Sequence, residues 1–401
     1  MNTATPFILA LVLCLASCTS GPPRSSLHGK FADIEISTTV DDPIASYYVE
    51  SYLVGARRNR DWDAVLDEIN ARLADRIPTS QELSRLSHEH STDLAALVMA
   101  RQLLQQAERQ PLYRMFREEL SAVVSRQQSG EWKSLQIESD ALFLFVPGWL
   151  YRTDTTTGAD FAQFRALLAS HGAHVALAQT GENASVEDNA EFIAAQIRGI
   201  AASRQQVVIV SASKGGPETA LALSMLGDEA ASKYVMVWVN IGGLLHGTQL
   251  ADFGLTWPVC WFVQLAVLPD GSFEGIRSLS VAQSERRWQD FRVPEHLLVV
   301  NYLGIPLSGQ ISELARGGYS RLRANGPNDG LTFLTDAIAP TGVTIPEFGV
   351  DHFFLRPDVE AKTLALVGAI TRYIKQRDAQ SGSRGCLAPS PHTTTACGSA
   401  T

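Results

Sequence analysis

Positive charge is in short supply in this chain. Its 33 Lys and Arg stand against 42 Asp and Glu, a formal net charge of −9. Nucleic acids are held by concentrated basic surface; with no basic run anywhere, nucleic acid is excluded as a partner. Heptad arrays and internal repeats are missing too, so neither a coiled coil nor a repeat solenoid is in view. Cysteine is scarce, five in 401 residues, too few for disulfides to replace a hydrophobic core. Long hydrophobic runs are lacking as well: "FILALVLCLAS", near the start, is short for a membrane span. What is present is an ordinary globular composition, 45% hydrophobic and 19% charged. Its length suits one large domain with additions, or two domains.

The early apolar run is bounded by small residues and reads as the h-region of a secretory signal. It ends in Leu15-Ala16-Ser17-Cys18, which resembles the lipobox of bacterial lipoproteins, although the leading "MNTATP" carries no Lys or Arg. The resemblance implies a signal peptide over 1–18 and acylation of Cys18. The protein would then be lipid-anchored in the cell envelope, at the outer membrane of a Gram-negative host because Thr19 and not Asp follows the cysteine. Several acyl chains on one residue anchor stably where one does not. The alternative is an ordinary signal peptide and a secreted or periplasmic protein. Setting Cys14 and Cys18 aside leaves Cys260, Cys386 and Cys397, which make no zinc site. Cys260 lies in an apolar run and reads as a small core residue; Cys386 and Cys397 are able to pair in an oxidising compartment.

Residues 19–30 read as a tether and 31–130 as a helical region, either an accessory domain or a layer packed on the remainder of the chain. Thr79 or Ser80 caps one of its helices, with Glu82 in the first turn. His88 and His90, two apart, do not share a helix face and are read as surface residues. From about 131 to 378 β-rich apolar runs alternate with helical stretches: "ALFLFVPG", "HVALAQT", "VVIVSA", "YVMVWVNIG", "LLVVNYLG" and "GVTIPEF". That grammar implies a mostly parallel sheet with helices on both faces. Residues 379–401, rich in Ser, Thr, Pro and Gly, read as a disordered tail.

One turn in this region raises a chemical question. "VVIVSASKGGPETALAL" (207–223) runs from a buried strand to a helix through small residues, and Ser213 is either a turn residue or a nucleophile. A serine at such a turn stands above the sheet edge, before a helix N-terminus that favours negative charge. Ser211-Ala212-Ser213-Lys214-Gly215 resembles the nucleophile elbow of the α/β-hydrolase superfamily, with Ser211 in place of its first glycine. That fold implies the order nucleophile, acid, base. His352, in "FGVDHFFLRP", follows the last strand-like run where the family places its base. Asp329, in "NGPNDGLTFLTDA", resembles the aspartate of the "NDGLV" segment of bacterial triacylglycerol lipases; Asp336 and Asp351 are the alternatives. "FLFVPGWLY" resembles their His-Gly oxyanion loop with Pro147 for the histidine, so the amides of Trp149 and Lys214 would hold an oxyanion. His246-Gly247-Thr248 and Ala251-Asp252 resemble a further lipase segment beside the site, with Leu245 where proline is usual.

The Lys214 side chain reads either as solvated or as a lure for an anionic head group. The apolar stretch within 253–296 is a possible cap, or a packed helix. Together these features imply an α/β-hydrolase fold preceded by an all-helical region, and a membrane-anchored serine enzyme cleaving carboxylic or lipid esters without metal or organic cofactor. An acyltransferase or thioesterase would use the same residues; a binding module that has lost the chemistry is the rival from another class.

Overall fold

The structure, a computed structural model, describes residues 24–32, 34–73, 76–257, 259–260 and 273–385. Two strands open it, β1 (Ser25–Phe31) and β2 (Ile34–Val40), paired antiparallel with Phe31 opposite Ile34. The six apolar runs of the sequence form β3 (Leu142–Val146), β4 (His174–Leu177), β5 (Val207–Ala212), β6 (Val235–Ile241), β7 (Leu298–Ile305) and β8 (Val343–Phe348). They make one parallel sheet in the order β4-β3-β5-β6-β7-β8.

Strands buried on both faces carry unbroken apolar runs, and successive residues point to opposite sides. Phe143, Val208, Val237, Val300 and Ile345 face one side, against Phe116, Leu168, Leu364 and Ile370 from helices Pro111–Ser129, Ala162–Ser170 and Val359–Gly385. Their neighbours Leu144, Ile209, Trp238 and Val299 face the other, against Ile193, Ile197 and Leu223 from helices Val186–Ala202 and Gly215–Leu226. The α/β architecture expected from the sequence, helices on both faces of a parallel sheet, is the one observed.

The N-terminal region departs from the all-helical expectation. Ser25–Lys30, which read as a tether, belong to β1, and the hairpin turns through Ala32 at φ 51°. Leu27, Phe31, Ile36 and Val40 alternate inward. With Tyr48 and Leu97 they form one core with Leu303, Ile305 and Phe348 of β7 and β8; the Phe31 and Phe348 rings lie 4.9 Å apart. The region is therefore a layer on the sheet, with no break in packing near residue 130. Helix Ser80–Glu89 starts in a full capping box between Thr79 and Glu82, and His88 is exposed at its end. At the other end, helix Val359–Gly385 continues past 379, where a disordered tail was expected. Cys14, Cys18, Cys386, Cys397 and most of the apolar part of the candidate cap lie outside the described residues. Cys260 is half-buried and not a core residue.

Candidate active site

In register, Val146 of β3 pairs with Ser211 of β5, and Ser211 with Asn240 of β6, so three strand ends finish side by side. Ser213 leaves β5 at φ 52°, a left-handed conformation that costs a non-glycine residue energy and is held only where its surroundings fix it. Here its amide donates to Ile241 O (3.3 Å), and its carbonyl accepts from Gly216 N (3.0 Å) and Leu244 N (3.1 Å). Helix Gly215–Leu226 begins two residues later, and the first amides of a helix have no intrahelical acceptor.

The small residues around Ser213 have specific reasons. A Cβ on Gly215 would meet Val146 O at 2.6 Å and Pro147 O at 2.8 Å; one on Gly216 would meet Gly243 Cα at 2.6 Å. Ser211, the departure from the glycine pattern, is fully buried, and its Oγ accepts from the Trp238 indole on β6 at 2.8 Å. A glycine there would leave that buried N–H without its acceptor.

Asp329 and His352 arrive on the loops before and after β8. The His352 ring Nδ1 lies 2.7 Å from Asp329 Oδ2, and His352 N donates to Asp329 O at 2.9 Å. Asp329 Oδ1 accepts from the amides of Leu331 and Thr332, both at 2.9 Å. With that oxygen engaged as acceptor, Oδ2 takes the Nδ1–H and leaves Nε2 as the ring's basic nitrogen. Gly242, which follows the Ile241 carbonyl that holds Ser213, sits against this pair: a Cβ there would lie 3.5 Å from both Asp329 Oδ2 and His352 Nδ1. Gly148 closes the other side, its Cβ direction 3.4 Å from Ser213 Cβ. Ser213, Asp329, His352 and the Gly148-Trp149 turn thus converge on one edge of the sheet.

The alternative acids point elsewhere. Asp351 Oδ2 accepts from Ser312 N at 2.7 Å. Asp336 bonds Thr335, and burial pushes its carboxyl up to about 6. The His246–Thr248 segment braces the acid loop: Thr248 Oγ1 donates to Leu331 O (2.5 Å) and Thr332 Oγ1 to Gly247 O (3.2 Å). Trp149, Leu221, Leu255, Phe273 and Leu331, each partly buried, pack on Val186, Leu244 and Ile276 to form an apolar wall beside the elbow.

Lys214 contradicts both sequence readings of its side chain. It is 1% exposed and forms an ion pair with Glu218, itself 1% exposed. Sequence reasoning passed over Glu218 because Glu four residues after Lys is ordinary on a helix surface; nothing local says that this turn is buried. Burial raises the Glu218 carboxyl and the Lys214 charge opposes that rise. Among the described residues no group of His, Cys, Asp and Glu is arranged to hold a metal ion.

No family model matches the chain, and no curated protein matches it. Solved structures share its shape in part. A metagenomic carboxyl esterase is similar at 22% identity over 61% of this chain and 78% of that one, with a TM-score of 0.49. A Bacillus licheniformis lipase in mature form is similar at 22% identity, covering 60% and 93%, with a TM-score of 0.45. A Legionella pneumophila phospholipase reaches 14% identity, 49% and 44%, and 0.36. With TM-scores below 0.5, none of these likenesses decides the chemistry of the site.

Proposed function

We propose that the protein is a serine hydrolase of carboxylic esters. The observation that carries this reading is the Asp329–His352 pair packed against Gly242, whose neighbour Ile241 holds the amide of the left-handed Ser213. Ser213 Oγ attacks the ester carbonyl carbon while His352 Nε2 takes its proton. The carbonyl π pair moves onto oxygen, where the amides of Trp149 and Lys214 receive it; such donors are each worth about 10²–10³ in turnover. Asp329 keeps the ring in the tautomer that leaves Nε2 basic and favours the imidazolium. As the oxyanion collapses, the C–O bond to the alcohol breaks and Nε2–H protonates the leaving oxygen. Water, deprotonated by the same nitrogen, then cleaves the acyl-Ser213 ester. The apolar wall that includes Trp149 and Leu331 favours a hydrocarbon acyl group over a charged one.

We propose separately, on the resemblance of Leu15-Ala16-Ser17-Cys18 to a lipobox, that acylated Cys18 anchors the enzyme to a cell-envelope membrane. Among the described residues no helix is long and apolar enough to cross a membrane. Release of the full chain from membranes by Cys18→Ala would support the anchor; unchanged membrane association would remove it.

Intact-mass analysis after incubation with a fluorophosphonate, followed by peptide mapping, tests the chemistry. One adduct on Ser213, absent in Ser213→Ala, is expected. A folded protein that takes no adduct, with or without detergent, would leave a binding module on the same fold. Added alcohol that diverts acyl product into a new ester would move the assignment to an acyltransferase.

A further inference from the structure

A buried cation at the N-terminus of a helix carries two costs, desolvation and an unfavourable helix dipole. Lys214 carries both, immediately after Ser213. Its partner Glu218 reaches further: Glu218 Oε1 also accepts from Asn189 Nδ2 at 2.7 Å. Asn189, 1% exposed, clasps the backbone of Gly181 with both ends of its amide, Nδ2 to the carbonyl and Oδ1 from the N–H, each at 2.8 Å. A continuous hydrogen-bonded chain therefore runs from the buried Lys214, Glu218 and Asn189 to the half-buried loop that leaves β4.

The other proposed oxyanion residue is tied to the same loop. The Trp149 indole Nε1 donates to Asn183 Oδ1 at 3.1 Å. Tyr151 OH donates to Thr180 O at 2.8 Å, and the amides of Arg152 and Thr153 donate to Glu182 Oε2 at 2.8 and 3.1 Å. Trp149 and Lys214 leave different strands, β3 and β5, and each is fixed through residues 180–183.

We propose that the loop 180–183 is the frame of the oxyanion site, with Asn183, Asn189 and Glu218 as positioning residues that set the spacing of the Trp149 and Lys214 amides. This rests on the serine-hydrolase reading above. Two donors aimed at one oxygen must hold their separation while the carbonyl becomes tetrahedral, and a shift of about 1 Å costs on the order of 10²-fold in rate. A frame that touches both residues and no reacting atom fixes that separation without contacting substrate.

The test uses the full chain and a soluble p-nitrophenyl ester. Asn183→Ala and Trp149→Phe each remove the indole contact and keep the fold's core; Lys214→Met with Glu218→Gln removes both charges together. Each is expected to lower kcat about 10-fold or more with KM within about 2-fold, and to weaken a trifluoromethyl ketone, which adds to Ser213 as an oxyanion, in parallel with kcat. The Asn183→Ala, Trp149→Phe double variant falls no further than either single, since both cut one contact. If the charge-removing pair does not fold, the indole variants decide the matter. Unchanged kcat and ketone affinity in folded variants overturns the frame, as does a raised KM with kcat intact, which would make these residues substrate contacts. A wild-type protein that labels at Ser213 under such results keeps its hydrolase reading; one that never labels loses both.

Discussion

Glu218 and Asp93 are both shut away from water, and the fold accommodates the two carboxylates in different ways. Glu218 sits one turn from the elbow against a cation, Lys214. Asp93, 0% exposed, is met by amides and hydroxyls: Asp41 N at 2.7 Å, Ser308 N at 2.8 Å, Ser308 Oγ at 2.6 Å and Tyr319 OH at 3.4 Å. Burial and the nearby Asp41 carboxylate push Asp93 up to about 7, against the pull of its Ser308 bonds. The first arrangement links the start of helix Gly215–Leu226 through Asn189 to the loop after β4. The second joins the end of β2, the turn after β7 and helix Glu313–Leu322, so it clamps the N-terminal layer to the sheet. On the proposed hydrolase reading the contrast separates two kinds of residue: those at the elbow are expected to set rate, and those at the clamp to set stability.

The largest effect that could break this division is at Ser213. Ser213→Ala is expected to lower kcat on an ester by about 10⁴-fold or more while its unfolding midpoint stays near that of the wild type. Asp329→Asn, which offers N–H where Nδ1–H needs an acceptor, should cost on the order of 10³–10⁴ in kcat, again with little change in thermal unfolding. At the clamp the pattern inverts. Asp93→Ala strands buried donors on Ser308 and Asp41 and is expected to destabilise by about 3 kcal/mol in denaturant titration, with kcat of the folded protein within about 2-fold.

The pH dependence sharpens the same division. Because the folded Asp93 carboxyl lies above its ordinary 3.8, its contribution to stability is full below that value and is lost as pH rises through about 7. Asp93→Asn should therefore flatten the fall of the unfolding midpoint between about pH 4 and 7 and leave the pH–rate profile alone. The smallest effect is expected at Thr79→Ala, which opens the capping box and costs about 1 kcal/mol with no change in turnover. A Ser213 or Asp329 variant that unfolds, or a clamp variant that folds but turns over slowly, would dissolve the distinction.

Legibility in the sequence ran along the same line. The six strands of the sheet were readable because a parallel strand buried on both faces is an unbroken β-branched and aromatic run, as in Val207–Val210. Ser213, Asp329 and His352 were nameable as candidates because each sits beside a turn of recognisable chemistry, and the pairing of Asp329 with His352 is the part the structure shows. The β1–β2 hairpin was not, since its turn uses Ala32 in a left-handed conformation and no Asn-Gly or Gly pair announces it. The burial of Lys214 and Glu218 and the reach of Asn189 to Gly181 were equally hidden. The partners are near in sequence, but their burial comes from the packing of the whole sheet, and these polar residues look solvent-facing in a one-dimensional reading.

The most direct measurement of the central claim, that Ser213 is the nucleophile, is acid-quench trapping of the acyl-enzyme. The full-length protein is mixed with a p-nitrophenyl ester, quenched within the first turnover and mapped by peptide mass. One acyl group is expected on the peptide containing Ser213, and its loss in Ser213→Ala together with turnover. Ester turnover with the acyl group on another residue, or turnover that survives Ser213→Ala, would contradict that assignment.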